Sequence, residues 1–452
     1  MHDREAAVAR LSAALSGSVH LPDSDGYDEA RVSFNGMIDR RPALIARCLS
    51  ARDVELAVRC AVELDLPISV RGGGHSVAGH GIGEGALMVD LSAMREVSID
   101  SDRRIARVAG GCLWDDVDAA AHAVGLAVPG GTYGDTGVGG LTVGGGLGWL
   151  LGTAALTCDN LVRAKVVTAA GDRVVAGSDG DPELLWALRG GGGNFGVVTE
   201  FEFALHERGP MLGGYVSFAE GDMADVLAYL ATLARVMPDE LVLMPWIAGS
   251  ADDGPTLCNV GVAYAGQPES GTALLAELRI RWEPVSDGIG PMSYLDVQAM
   301  NGRLPFGLRN YWKSHFVRDL DTNVIDAIIA ATSARPDGIS GILLECLSGA
   351  ARRVPTESAA FGLRDSGWNV SPLAIWSDPA DDDVMIAWAR ATTSALEPLS
   401  TGGGYVNYGS HDAPERILAV YGQERLARLQ EVKARYDPEN RFRFNLNIPP
   451  GR

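Results

Sequence analysis

Residues 70–83 read VRGGGHSVAGHGIG. A short apolar run at 67–70 leads into Arg71, three glycines and His75, so a strand is expected to end in a glycine turn here. Gly72, Gly73 and Gly74 carry no Cβ to keep a ligand away, and glycine accepts the left-handed backbone that tight loops need. Their N–H groups can converge into a concave nest for an anion. Arg71 adds positive charge beside it, and His75 stands at the rim of a phosphate-sized cradle.

Two chemistries compete for this stretch. Gly74-His75-Ser76-Val77-Ala78 resembles the G-x-S-x-G elbow of α/β-hydrolases with alanine in the last place, which would make Ser76 a nucleophile. The alternative assigns the glycines to a pyrophosphate and makes His75 the reactive residue. A solvated glycine-rich turn without chemistry is a third reading. The stretch alone leaves all three open.

The chain has 452 residues, too many for one ordinary core, so two domains are the expectation. Its net charge of −20 argues against nucleic acid and anionic membranes as partners. The six cysteines form no C-x-x-C pair, so neither a zinc site nor a dithiol centre is expected, and no metal. Their wide spacing suits a reducing compartment, the cytoplasm. Residues 1–17 carry charges and lack the apolar centre of a signal peptide. Residues 136–158 are uncharged and long enough to span a bilayer, but their glycine content argues against a spanning helix.

Outward from the opening stretch, Asp53 is expected to cap an amphipathic helix whose Val54, Ala57, Val58, Ala61 and Val62 share one face. Strands are expected at 87–91 and 105–109. A helix is expected at 114–124 with Trp114, Val117, Ala121 and Val124 inward. Residues 163–169 and 173–176 flank Ala170-Gly171-Asp172 as a hairpin. From 206 to 400, strand-like runs such as 241–247 and 342–347 mix with helical stretches at 223–236 and 324–333. Aromatic residues, Trp246 and Trp312 among them, are denser there and suit a pocket for a flat or bulky substrate. A helix at 414–436 and a proline-rich tail close the chain.

Two further glycine segments occur. Residues 129–148 read PGGTYGDTGVGGLTVGGGLG, and residues 189–198 read RGGGGNFGVV. Gly191, Gly193 and Gly196 formally fit G-x-G-x-x-G. That fingerprint needs a strand before it and a helix after it. Here a helical 183–188 precedes and a β-rich 197–203 follows, which excludes a Rossmann site. Three separated glycine loops favour a long ligand such as a dinucleotide over a single hydrolase elbow.

Taken together, RGGGHS at 71–76, TGVGGLTVGGGLGWL at 136–150, DNL at 159–161, LRGGGGNFGVVTEFEF at 188–203, YVNY at 405–408 and YDPENRF at 436–442 resemble the FAD-linked oxidases of the vanillyl-alcohol-oxidase superfamily, in its berberine-bridge-enzyme-like branch. The resemblance covers nearly the whole chain and is weakest at 206–340. It implies an α+β protein. A bipartite PCMH-type FAD-binding domain would take residues 1–205, with 401–452 returning to it. An antiparallel-sheet substrate domain covered by helices would take 206–400. The resemblance further implies FAD bonded through its 8α-methyl group to His75. It puts the pyrophosphate on Arg71, Gly72, Gly73, Gly74 and Ser76 and on Thr136, Gly137, Gly139 and Gly140. Gly131, Thr132 and Tyr133 lie alongside, and adenine near Gly196 and Val198. A desolvated pyrophosphate needs many N–H donors, which such loops supply.

Some members of this branch also bond a cysteine to flavin C6. That position, three residues ahead of Thr136, is Tyr133 here, so a single attachment at His75 is expected, with Cys158 a packed residue. The Y-x-N motif offers Tyr405 as general base and Asn407 as its assistant, both also against the flavin. Free tyrosine has a pKa of about 10, so a neighbour must stabilise the phenolate. On a strand, Asn407 would share a face with Tyr405 and Tyr408 would not. Glu345, in the apolar run 342–347, is a second candidate acid and would need a partner if buried. Thr136 is small and would leave room for O2 over the flavin. The expected activity is an oxidase taking a hydride from an alcohol or amine carbon of a small, natural-product-like substrate, with O2 as acceptor. A dehydrogenase or an oxidative cyclase is the alternative within the family.

Overall fold

The computed structural model of the chain describes residues 2–249, 254–303, 305–336, 338–409 and 416–451. In spatial order, Ser18–His20, Leu44–Arg47, Leu87–Asp90 and Ile68–Arg71 form a four-stranded sheet, the last three parallel. Helix Ala51–Glu63 is the crossover from Leu44–Arg47 to Ile68–Arg71, which lie parallel on either side of Leu87–Asp90. Ser50, not Asp53, caps this helix by accepting the Asp53 N–H. The Asp53 carboxylate instead accepts the N–H groups of Ser16 and Leu49 (2.9 and 2.8 Å), which ties down the segment leading into the helix. Val54, Ala57, Val58 and Ala61 are buried as expected, whereas Val62, in the last turn, is exposed.

A five-stranded antiparallel sheet follows, ordered Val97–Asp100, Ile105–Ala109, Val197–Ala204, Leu161–Val167 and Arg173–Ala176. The expected hairpin turns at Gly171, whose φ of 79° belongs to glycine. Helix Trp114–His122 buries Trp114, Val117 and Ala121 in this sheet's core, but Val124 lies past the helix end and is exposed.

Strands between Met211 and Trp376 build a nine-stranded antiparallel sheet. Side-chain alternation divides its two faces. On strand Leu241–Ala248, Leu241, Leu243 and Ile247 join the core containing helices Met223–Ala234, Thr322–Ser333 and Asp382–Leu396. Val242, Met244 and Trp246 take the opposite face. Strand Gly341–Cys346 divides in the same way, which puts Leu343 and Glu345 on the side away from those helices.

The last helix, Arg416–Tyr436, bends at Gly422 and packs Tyr421, Leu429 and Val432 into the core of the five-stranded sheet. Residues 414 and 415 of the expected helix lie outside the described residues. Lys433 is fully buried and donates to Asp437 (2.6 Å) and to the carbonyls of Asn194 and Phe442 (2.9 Å each). The 436–442 motif thereby fastens the tail to the 189–198 glycine loop. The architecture is α+β, as expected. The uncharged stretch 136–158 is broken into helices Val138–Val143 and Leu151–Ala154 and the turn Thr157–Asn160. No helix among the described residues is long and apolar enough to cross a membrane.

Helix Trp114–His122 meets helix Tyr294–Ala299 through a buried polar pair. Gln298 Nε2 donates to Asp118 Oδ2 (2.9 Å), while Asp118 Oδ1 and Gln298 Oε1 have no partner among the described residues. Burial pushes the Asp118 carboxyl up to about 7, although the Gln298 bond works the other way. A carboxyl with a raised folded pKa holds a proton that the unfolded chain releases. Stability is therefore full below a pH of about 4, the ordinary carboxylate value, and is lost as pH rises toward 7. Asp118→Asn keeps the shape without the charge. It is expected to melt higher than the parent at pH 8, by about 1.4 kcal/mol for each unit of raised pKa, and no higher at pH 4. An equal gain at both pH values in parallel thermal melts would assign the effect to packing instead.

Candidate active site

A cavity of about 650 Å³ lies between the glycine loops and the face of the nine-stranded sheet that carries Met244 and Trp246. This is within the usual range for small-molecule sites. Every residue expected to hold the cofactor lines it, from the 71–76 turn through the 131–140 loop to Gly196, Val198, Tyr405 and Asn407. The sheet contributes Tyr215, Met244, Trp246, Trp312, Leu343 and Ile375.

The two first loops touch backbone to backbone. A Cβ built on Gly73 would stand 2.5 Å from Gly137 N and 2.7 Å from its Cα, and a Cβ on Gly137 would run into Gly73 in return. A backbone bridge from Leu113 to Gly137 and the Val138 N–H to Cys112 bond (2.9 Å) hold the second loop in place. Gly74 has a φ of 74°, so its turn needs glycine. Arg71 donates to the Ala30 carbonyl, yet its Nε is buried without a partner among the described residues. A Cβ on Gly140 would meet nothing within 4 Å among the described residues. Bare backbone and an orphaned guanidinium donor on the cavity wall fit a phosphate-bearing ligand of FAD's kind. The hydrolase reading fails on the same geometry. Residues 72–86 are turns with no helix after Ser76, and Ser76 Oγ accepts the His80 N–H (3.1 Å) within that turn.

Two rings pack against the His75 imidazole, one on a face and one at its edge, and they touch each other as well. Phe34 stacks on it at 4.7 Å and 17°, and Phe306 meets it edge-on at 5.2 Å and 89°. Its Nε2 faces Asp135 Oδ2 at 3.5 Å. Burial works against the charge of Asp135, but the neighbouring imidazole outweighs it and holds the carboxyl below its ordinary value. Sequence reasoning did not single out Phe34 or Asp135. The proximity of Asp135 is tertiary, and its only sequence trace is an acid inside a glycine loop.

Tyr405 is buried with its hydroxyl among donors. Its Oη accepts from Gly146 N (2.8 Å), Leu147 N (3.3 Å) and Asn407 Nδ2 (2.9 Å). Burial and the Glu345 carboxylate raise this phenol above its ordinary value, and the three donors oppose them. The 405–408 stretch is not a strand but a 3-10 turn, Val406–Tyr408. Asn407 still reaches Tyr405, while the turn also brings Tyr408 against it (4.9 Å, 79°). Tyr408 lines the cavity and Glu345 does not. Glu345 lies fully buried behind it, accepting from Tyr408 Oη (3.0 Å) and Asn369 Nδ2 (2.7 Å). Burial pushes its carboxyl up to about 7. Any part that Glu345 takes in the chemistry runs through Tyr408. Cys158 is fully buried outside the cavity wall, whereas Tyr133 is in it. Burial raises the Cys158 thiol well above its ordinary value. All six cysteines are buried and unbonded.

Residues 42–177 match the family model "FAD binding domain", and residues 404–449 match "Berberine and berberine like". The chain is 35% identical to (R)-6-hydroxynicotine oxidase of Paenarthrobacter nicotinovorans over 97% of each sequence. It superimposes on the crystal structure of 6-hydroxy-D-nicotine oxidase from Arthrobacter nicotinovorans with a TM-score of 0.88 at 33% identity, covering 97% of this chain and 99% of that one. It also superimposes on glucooligosaccharide oxidase from Acremonium strictum, a structure described by its 6-S-cysteinyl, 8α-N1-histidyl FAD. The TM-score there is 0.89 at 26% identity, covering 98% and 99%. The chain is therefore an FAD-dependent oxidoreductase and belongs to the berberine-bridge-enzyme-like branch of the vanillyl-alcohol-oxidase superfamily, a family acting on alcohols, amines and sugars with oxygen.

Proposed function

We propose that this protein is an oxidase that removes a hydride from an amine or alcohol carbon of a small, flat, largely apolar substrate and passes the electrons to O2. The sheet wall, where Tyr215, Trp246 and Trp312 stand among Met244, Leu343 and Ile375, carries the substrate class, since aromatic faces in an apolar wall suit a planar, largely apolar molecule. FAD, when bound, supplies the hydride acceptor and the route to O2. Residues 1–205 and 401–452 would form its domain and 206–400 the substrate domain. The 71–76 and 136–140 loops would take the pyrophosphate on their N–H groups, and the 196–198 backbone the adenine. His75 would carry the covalent bond. Tyr405 would receive the substrate proton, oriented by Asn407, and Thr136 would leave space for O2. The buried cysteines favour a cytoplasmic location. An anaerobic screen of cyclic amines, aromatic alcohols and oligosaccharides tests the substrate class. Bleaching of the flavin's visible absorbance by the first two groups is expected. Bleaching by oligosaccharides alone would refute it.

A single attachment is the second part of this reading. Cys158→Ser is expected to leave the absorbance spectrum and the acid-stable flavin unchanged, because Cys158 is walled off from the cavity. A changed spectrum would reassign the cysteine.

A further inference from the structure

Asp135 is nine-tenths buried, its Oδ2 faces His75 Nε2 at 3.5 Å, and its Oδ1 has no partner among the described residues. Arg303, a cation near enough to act on it, is paired with Asp115. A carboxylate in this position needs a partner, and the imidazole is the group it faces. His75 Nε2 is buried too and has no hydrogen bond among the described residues. Phe34 packs on one face of the ring and Phe306 against its edge.

We propose that Asp135 prepares His75 for flavin attachment, a step that rests on the covalent reading above. The carboxylate holds the imidazole proton on Nε2 and leaves the lone pair on Nδ1, which becomes the attaching nitrogen. A carboxylate fixes a histidine tautomer in this way when it accepts from one ring nitrogen. Contacts of 3.5 Å commonly tighten once the reacting partner is bound. In the attachment one C–H bond of the flavin 8α-methyl group and one N–H bond of His75 break, and one N–C bond forms. The two electrons released pass to the flavin ring and on to O2, which leaves with two protons as hydrogen peroxide. While Nδ1 bonds to carbon the imidazole ring becomes cationic, and Asp135 faces that charge. Asp135 is thus a positioning residue and touches neither substrate nor flavin.

The test uses the whole chain produced without flavin, in a riboflavin-starved host, and then mixed with FAD in air. Acid-stable flavin is followed with time, reversible binding is measured by flavin fluorescence, and NMR of the flavin peptide identifies the bonded nitrogen. The wild type is expected to give only the Nδ1 isomer. Asp135→Asn is expected to bind FAD normally but to attach it about 10–100-fold more slowly, with Asp135→Glu recovering part of the rate. Attachment by Asp135→Asn at the parental rate, or an Nε2 isomer in the wild type, would overturn the proposal. So would equal loss of FAD binding in both variants, which would mark Asp135 as structural. A wild type that never attaches FAD would overturn the covalent reading itself.

Discussion

Tyr405→Phe is expected to slow anaerobic reduction of the flavin by about 10²–10⁴-fold, the usual worth of a general base, with flavin content unchanged. A neutral phenol oxygen has two lone pairs, and three N–H donors converge on Tyr405 Oη. That surplus favours the phenolate. Burial and Glu345 push the other way and hold the folded pKa above its ordinary value. A base is active when deprotonated, so the reduction rate should climb with pH through the alkaline range in the parent. The climb should flatten in Tyr405→Phe. Reoxidation by O2 needs no such base and should be nearly unaffected. A parental reduction rate in the variant would move the role to Tyr408, whose hydroxyl hands its proton toward Glu345. Glu345→Gln in the same stopped-flow assay would then be the variant that slows.

Gly137→Val is expected to abolish FAD binding. Gly137 has a φ of −67°, open to any residue, so its requirement is purely spatial. A Cβ there points into the Gly73 backbone, which is the facing phosphate loop. A flexible side chain could turn aside from such a clash, but two backbones, one held by the Leu113–Gly137 bridge and the other continuing the Ile68–Arg71 strand, can relieve it only by moving apart. Overpacking costs about 1–3 kcal/mol of stability, which a chain of this size survives. The loops forced apart would no longer present their N–H groups together. The variant should be isolated folded and colourless. Parental flavin content would show that the two loops do not act as one cradle.

The glycine loops were legible because bare backbone at 71–76, 129–148 and 189–198 has few uses in a folded chain other than close approach to a ligand. The strand at 105–109 and the hairpin about Gly171 were legible from local alternation and turn chemistry. Capping by Ser50 was misassigned to Asp53 because both residues are good caps and the register of the first turn decides between them. The 405–408 stretch reads as a strand by composition, yet the cavity wall folds it into a turn, and Tyr408 changes face. The His75–Asp135, Glu345–Tyr408 and Asp118–Gln298 pairs are contacts across long sequence separations. No local pattern encodes them.

Acid precipitation followed by digestion and mass spectrometry tests the central claim most directly. The precipitate is expected to stay yellow and to yield a single flavin-bearing peptide, the one containing His75, while His75→Ala releases all of its FAD to the supernatant. Complete release of FAD from the parent protein, or a flavin bridging His75 and Cys158, would contradict the account.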